Sequence, residues 1–350
     1  MTRILFAIPG NLDALTGGYE YDRRILLAAR SLGARIDHIP LPGAFPAPSG
    51  RDIDETVARV NDAVCPGDVV LMDGLALGAL PAQAIRNIRA PVIALCHHPL
   101  CLETGLSAAR AADLRENEKQ ALAAVAHVVV TSPHTRRLLE RDFQLPAEKI
   151  AVALPGVDQA ARARGAGHPV SLLAVGALIP RKGFDHLVEA LAGLVDLDWR
   201  LAIVGSPDHA PQTARALRAQ VSELAMSSRI DLPGACSDAE LQAYFDRADL
   251  FVSSTLYEGY GMALAEALAH GVAIVTTTGG AAVDTVPDGA CLRIPAGDVG
   301  ALRATLRRAI SDASLRRRLS EAAWRAGQKL PRWEDAARMI IGVAKMLEAA

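Results

Sequence analysis

Aromatic side chains are scarce in this chain of 350 residues: six Phe, five Tyr and three Trp make up 4% of it. A nucleic-acid surface needs base-stacking rings beside a broad basic patch. The formal net charge of −2 and the few aromatics argue against a general polyanion binder and against a nucleic-acid surface. The run Arg316-Arg-Arg318 lies in a mixed-charge helical stretch and reads as a solvated face. Cysteine is also sparse. Cys65, Cys96, Cys101, Cys236 and Cys291 are odd in number, scattered and without a CxxC pair, which argues against a disulfide framework and for reduced thiols in a cytoplasmic protein. Long apolar runs are missing as well. Hydrophobic residues make up 51%, yet no uninterrupted run reaches the roughly eighteen residues that would span a bilayer. The opening Met1-Thr-Arg-Ile-Leu-Phe-Ala-Ile-Pro-Gly10 has an apolar core too short for a signal peptide and reads as a first strand.

What the chain does have is alternation. Short apolar strands and Ala- and Leu-rich helical stretches follow each other from end to end, the pattern of parallel sheets with helices on both faces. Strands are expected at 3–8, 35–39, 68–72, 91–96, 127–131 and 150–154, then at 171–175, 200–204, 229–232, 250–252 and 274–276. Between the two sets, residues 156–169 lose periodicity and gather glycine, arginine and proline, as a linker would. The chain is long enough for two domains, expected at 1–160 and 168–332, with a helix over 333–350.

The densest chemistry is Glu258-Gly-Tyr-Gly-Met-Ala-Leu-Ala-Glu266. Gly259 and Gly261 break regular structure, and a helix is expected from Met262 to His270 with Glu266 about two turns in. The backbone N–H groups of Tyr260, Gly261, Met262 and Ala263 then stand at a helix start, where unpaired donors and peptide dipoles favour an anion such as a diphosphate. Upstream, Leu173-Ala-Val-Gly-Ala-Leu-Ile-Pro-Arg-Lys-Gly183 runs from a strand into a turn carrying Arg181 and Lys182, a cationic pair where an α/β sheet meets a nucleotide phosphate.

With the helix after Gly183, these motifs resemble the donor-binding half of the retaining glycosyltransferases of family GT4. The resemblance continues in order through Leu201-Ala-Ile-Val-Gly-Ser206, Ile230-Asp-Leu-Pro-Gly234, Ala248-Asp-Leu-Phe-Val-Ser-Ser254 and Thr278-Gly-Gly280, covering nearly the whole C-terminal half. It implies the GT-B fold, α/β with two Rossmann-like parallel-sheet domains facing a cleft, the acceptor on the first, the donor on the second, and the last helix crossing back to the first. It implies transfer of a hexosyl unit, with retention, from a nucleoside diphosphate sugar to an acceptor hydroxyl, a UDP-sugar first and GDP-mannose next. It assigns Glu258 to the donor sugar hydroxyls and Glu266 to the ribose, carboxylates being natural acceptors for a diol. Arg181 and Lys182 would neutralise the departing diphosphate. That removes the need for a divalent metal, and no Asp-x-Asp motif of the metal-using fold is read. No cofactor is implied, and the acceptor, a saccharide, lipid or small molecule, stays open. Gly205 and Gly234 fall on family positions beside the donor.

Gly17-Gly18 follows the first strand in a loop expected to precede a helix near Tyr19. The family has such a pair facing the donor sugar and phosphate, because paired glycines let a backbone come close to a ligand. His97 ends the strand Pro91-Val-Ile-Ala-Leu-Cys96 and takes the family's active-site position near the donor sugar. Cys96, His97, His98 and Cys101 are crowded enough to raise zinc, but alternating strand residues face opposite sides, which argues against it. Ser132 reads as a helix cap or a family position. The segment 98–105 is expected to touch the acceptor. A helical stretch over 106–125 leaves peripheral membrane contact open, although its acids balance its bases and favour an ordinary surface helix. The alternatives within the fold are sugar phosphorolysis or nucleotide-sugar epimerisation; a non-catalytic nucleotide-sugar sensor is the alternative outside enzymology.

Overall fold

The computed structural model describes residues 2–348. The chain divides into two compact units, Met1–Gly156 with Pro331–Ala350, and Val157–Leu330. The first is built on β1 (Arg3–Pro9), β2 (Arg35–Leu41), β3 (Val69–Asp73), β4 (Val92–Cys96), β5 (His127–Val130) and β6 (Ile150–Val152), all parallel, in the order β2-β1-β3-β4-β5-β6. Residues of β3 and β4 are buried throughout, as expected of parallel strands covered on both faces, which read as continuous apolar runs. Leu5, Ala7, Val70, Met72, Ala94, Val128 and Val130 share one core.

The second unit repeats the plan with β7 (Val170–Val175), β8 (Trp199–Val204), β9 (Ile230–Gly234), β10 (Leu250–Ser253), β11 (Ala273–Thr277) and β12 (Cys291–Ile294), in the order β12-β11-β10-β7-β8-β9. Pro233 is accommodated because β9 is an edge strand. In the first sheet the strand order reverses between β1 and β3, in the second between β7 and β10. Loops leaving the carboxyl ends of those strands flank the place where open α/β sheets bind ligands.

All eleven expected strands form, with ends moved by one or two residues. β12 was not foreseen; four residues interrupted by Arg293, between Gly289 and Pro295, are too short to show a period. Two further expectations need correction. Gly17 and Gly18 are not in a loop: they form the first turn of the helix Gly17–Ser31, whose cap is Thr16, accepting from Tyr19 N at 3.3 Å. The stretch read as a linker is also no free tether, since Ala163 N donates to His270 O, and Arg164 N and Gly165 N donate to Asp246 O, each at 2.9 Å.

The helix Trp333–Glu348 packs within the first unit on the helix Gly17–Ser31, with the rings of Tyr21 and Trp333 edge to face at 5.7 Å. The expected helix ran to residue 350; its last two residues lie outside the described residues. The helix Ala108–Ala124 turns Leu114, Glu118, Ala121 and Leu122 inward. Among the described residues, no helix is long and apolar enough to cross a membrane.

Candidate active site

In the second unit, the strand order explains how Arg181 and Lys182 meet Glu258 across more than seventy residues of sequence. The turn Pro180–Lys182 follows β7 and the loop to Gly261 follows β10, its neighbour in the sheet. Lys182 Nζ lies 2.6 Å from Glu258 Oε1 and Arg181 Nη1 lies 3.8 Å from Glu258 Oε2, while Arg181 Nη1 also donates to Tyr257 O at 2.8 Å. Glu258 is 7% exposed. Burial alone would raise its pKa, but the charges of Lys182 and Arg181, with hydrogen bonds from Lys182 and Thr255, outweigh it and hold the carboxylate below its ordinary value. The stability this pairing contributes is therefore present above the ordinary glutamate range and lost as pH falls through the lower, folded-state value.

The loop is pinned from the other side by Thr278-Gly-Gly280. Glu258 and Gly280 form a parallel bridge, Glu258 N donates to Gly279 O at 3.2 Å, and Ala281 N donates to Glu258 O at 2.8 Å. Gly280 has φ +66°, and a Cβ there would overlap the Glu258 carbonyl oxygen. Gly280→Ala combines left-handed strain with this clash, so a loss of about 1–3 kcal/mol is expected. A lowered thermal midpoint together with a raised donor KM would show that the glycine seats Glu258; an unchanged KM would refute it.

Gly261, with φ +95°, caps the helix Met262–Ala269. Leu264 N and Ala265 N donate back to Gly261 O, which leaves Met262 and Ala263 as the N–H groups that a helix start cannot pair within itself. Tyr260 is buried, which pushes its hydroxyl up to about 12, and Thr285 Oγ1 donates to its carbonyl. Glu266 is half-buried and stands just over one turn into the helix rather than two. Gly205 and Gly234 meet each other: Gly205 N donates to Gly234 O at 2.9 Å. A Cβ on Gly205 would overlap the carbonyl oxygen of Gly176, the residue after β7, so Gly205 lets two backbones approach and its N–H is already used.

In the first unit, His97 follows β4, and its carbonyl accepts from Thr131 Oγ1 at 3.3 Å and Thr135 Oγ1 at 3.5 Å. Its Nε2 lies 3.5 Å from Asp22 Oδ1 and 3.4 Å from Asp73 Oδ2. The contacts are longer than a tight hydrogen bond, yet both carboxylates stand close enough to act on the ring first by hydrogen bonding and then by charge. Burial alone would lower the imidazole pKa, but Asp22 and Asp73 outweigh it and lift it to about 10. Asp22 is raised in turn, first by burial and then by the negative charge of Asp73. A Cβ on Gly18 would lie 3.5 Å from His97 Cδ2, whereas one on Gly17 would meet nothing within 4 Å, so of the two glycines Gly18 is the histidine's neighbour.

Asp22 and Asp73 were not foreseen. The available signal was spacing: Asp22 stands four residues after Gly18 on one helix face, and Asp73 ends a strand at the switch of the sheet. His98 turns away to Glu103, Nε2 to Oε2 3.2 Å, on a segment tethered by Leu100 N donating to the buried Glu118 at 2.9 Å. Burial pushes Glu118 up to about 8. Ser132 caps the helix Pro133–Asp142, accepting from Thr135 N at 3.0 Å. Among the described residues, the group whose ligand atoms gather within 4.8 Å is Asp22, Asp73 and His97; Cys96, His98 and Cys101 are not part of it. The sequence does contain Asp-x-Asp as a string, at Asp52-Ile-Asp54 and Asp196-Leu-Asp198, contrary to expectation. Asp52 is engaged by the Ser49 cap and Asp196 by Arg307, so neither pair stands in either constellation.

Comparison with known proteins places the chain. The family described as Glycosyltransferase Family 4 matches residues 30–161 and that described as Glycosyl transferases group 1 matches residues 161–325. The MMP alpha-(1->4)-mannosyltransferase of Mycolicibacterium hassiacum is 28% identical over 78% of this chain and 69% of its own length. Seven further curated relatives are matched over 34–58% of their own length, less than two thirds in each case. Among solved structures, the sucrose-phosphate synthase of Thermosynechococcus elongatus superposes with a TM-score of 0.83 at 20% identity, over 99% of this chain and 100% of that one. Anabaena HepE in complex with UDP-glucose does so with 0.78 at 15%, over 98% and 100%. The chain belongs to the GT4 family of glycosyltransferases and has the GT-B fold.

Proposed function

We propose that the protein transfers a hexosyl unit from a nucleoside diphosphate sugar to an acceptor hydroxyl, with retention of configuration and without a divalent metal. The observation that carries this is the meeting of Lys182, Arg181 and Glu258 beside the start of the helix Met262–Ala269. Two cations and a helix N-terminus suit a diphosphate, and Glu258 suits a sugar diol. As the glycosidic bond breaks, negative charge grows on the leaving diphosphate. Lys182 and Arg181 stabilise that charge in the transition state more than in the ground state. The departing phosphate takes the acceptor proton, so no enzymic nucleophile is needed. His97 takes part in the transfer. The donor is a UDP-hexose or GDP-mannose: the Mycolicibacterium hassiacum relative is named a mannosyltransferase, and a Mycolicibacterium smegmatis relative is named as GDP-mannose-dependent.

A thermal-shift panel of UDP-, GDP- and ADP-sugars identifies the donor, since a ligand that binds only the folded state raises the midpoint. With that donor in excess EDTA, nucleoside diphosphate is expected to appear only as acceptor is consumed, and an α-linked donor is expected to give an α-glycoside by NMR coupling constants. A β-glycoside, a requirement for Mn²⁺ or Mg²⁺, or an isomerised nucleotide sugar refutes the proposal.

A further inference from the structure

His97 is surrounded by acid. Asp22 has no exposed surface, and neither of its oxygens has a donor in tight hydrogen-bond geometry. A buried, unpaired carboxylate is costly unless a positive charge or a proton compensates it. Asp73 is 3% exposed, and its Oδ1 is already used, accepting from Leu75 N at 2.9 Å at the start of a short helix. Its Oδ2 is left facing the ring. One imidazole nitrogen thus stands opposite two carboxylates.

We infer that Asp22 and Asp73 are positioning residues that hold His97 as an imidazolium, committing Nε2–H to the two carboxylates and leaving Nδ1–H as the donor for a substrate oxygen. The inference rests on His97 serving the transfer reaction. The surroundings fix the ring in place. Tyr21 packs edge-on against it at 5.2 Å, Thr131 and Thr135 hold its carbonyl, and Gly18 lies alongside, where an added Cβ would come to 3.5 Å from Cδ2 and 3.6 Å from Nε2. Other titratable or charged groups nearby do not compete for the role. Tyr19 is pushed up to about 12, mainly by burial, and burial likewise raises Tyr21 and Cys96, so these stay neutral. Arg23 is turned to Glu20 and to the carbonyls of Leu12 and Ala14. An imidazolium donor differs from a neutral ring in that it persists as pH rises, and the pH to which it persists falls when either carboxylate is removed.

The test is the titration of the His97 ring by ¹H–¹⁵N NMR, assigned with His97→Gln, in the wild type, Asp22→Asn and Asp73→Asn, alongside pH profiles of kcat/KM. Asn at 73 still offers a cap oxygen to Leu75 N, so that variant is expected to fold even if Asp22→Asn does not. The wild-type ring is expected to stay charged through mildly alkaline pH. In the variants its pKa is expected to fall by about one unit or more, with the alkaline limb of kcat/KM moving down by the same amount.

An unchanged titration in the folded variants overturns the inference, even if activity drops, because that is the behaviour of a packing role. Stoichiometric bound zinc in the purified wild type, lost from Asp22→Asn, also overturns it and makes the trio a metal site. The NMR arm needs no turnover, so a protein that turns over no donor would refute the transferase proposal while the titration still decides this one.

Discussion

Lys182→Ala is expected to lower kcat by on the order of 10²–10³-fold, with a smaller change in donor KM. Charge on the leaving diphosphate grows as the bond breaks, so a cation placed for it contributes more in the transition state than in the bound substrate. The second consequence is structural. Lys182 Nζ is 2.6 Å from Glu258 Oε1, and removing one partner of a buried pair costs about 3–5 kcal/mol, because the other is left desolvated. Arg181 at 3.8 Å offsets part of that. The variant must therefore be shown folded by circular dichroism and thermal melting before its kinetics are read. Glu266→Ala is the contrasting case. A ribose contact changes little during reaction, so its loss is expected in donor KM with kcat nearly kept. The assignment fails if Lys182→Ala changes only KM while Glu266→Ala leaves KM untouched.

His97→Ala is expected to cost at least about a hundredfold in kcat/KM, equivalent to ~2.7 kcal/mol of transition-state stabilisation. His98→Ala is expected to cost much less, or to alter acceptor choice rather than rate. The two residues are adjacent in sequence but have different surroundings. His97 faces Asp22, Asp73 and Gly18 at the carboxyl edge of the sheet. His98 pairs with Glu103, a partner on its own loop. If His98→Ala is the dead variant and His97→Ala remains active, the active-site assignment moves by one residue.

Much of this was legible from the order of residues. Alternating apolar strands and helices predicted two parallel sheets because a strand covered on both faces must be apolar throughout, and that is a local property. The loops that carry Arg181, Lys182 and Glu258 were legible too, since glycines, cations and carboxylates at the ends of strands mark where an α/β sheet presents chemistry. The limits were also physical. β12 was missed because four residues carry no measurable period, and Gly17-Gly18 was placed outside its helix because glycine is a poor helix former and Thr16 was not recognised as the cap.

Tertiary structure alone decided which distant groups meet. Arg181, Lys182 and Glu258 come together because β7 and β10 are neighbours in the second sheet. In the first sheet β3 lies between β1 and β4, and Asp22, Asp73 and His97 converge within reach of one another. Strand order and side-chain burial are properties of the folded sheet, set by how whole strands and helices pack together. A sequence read residue by residue names the histidine but not the two carboxylates that gather around it.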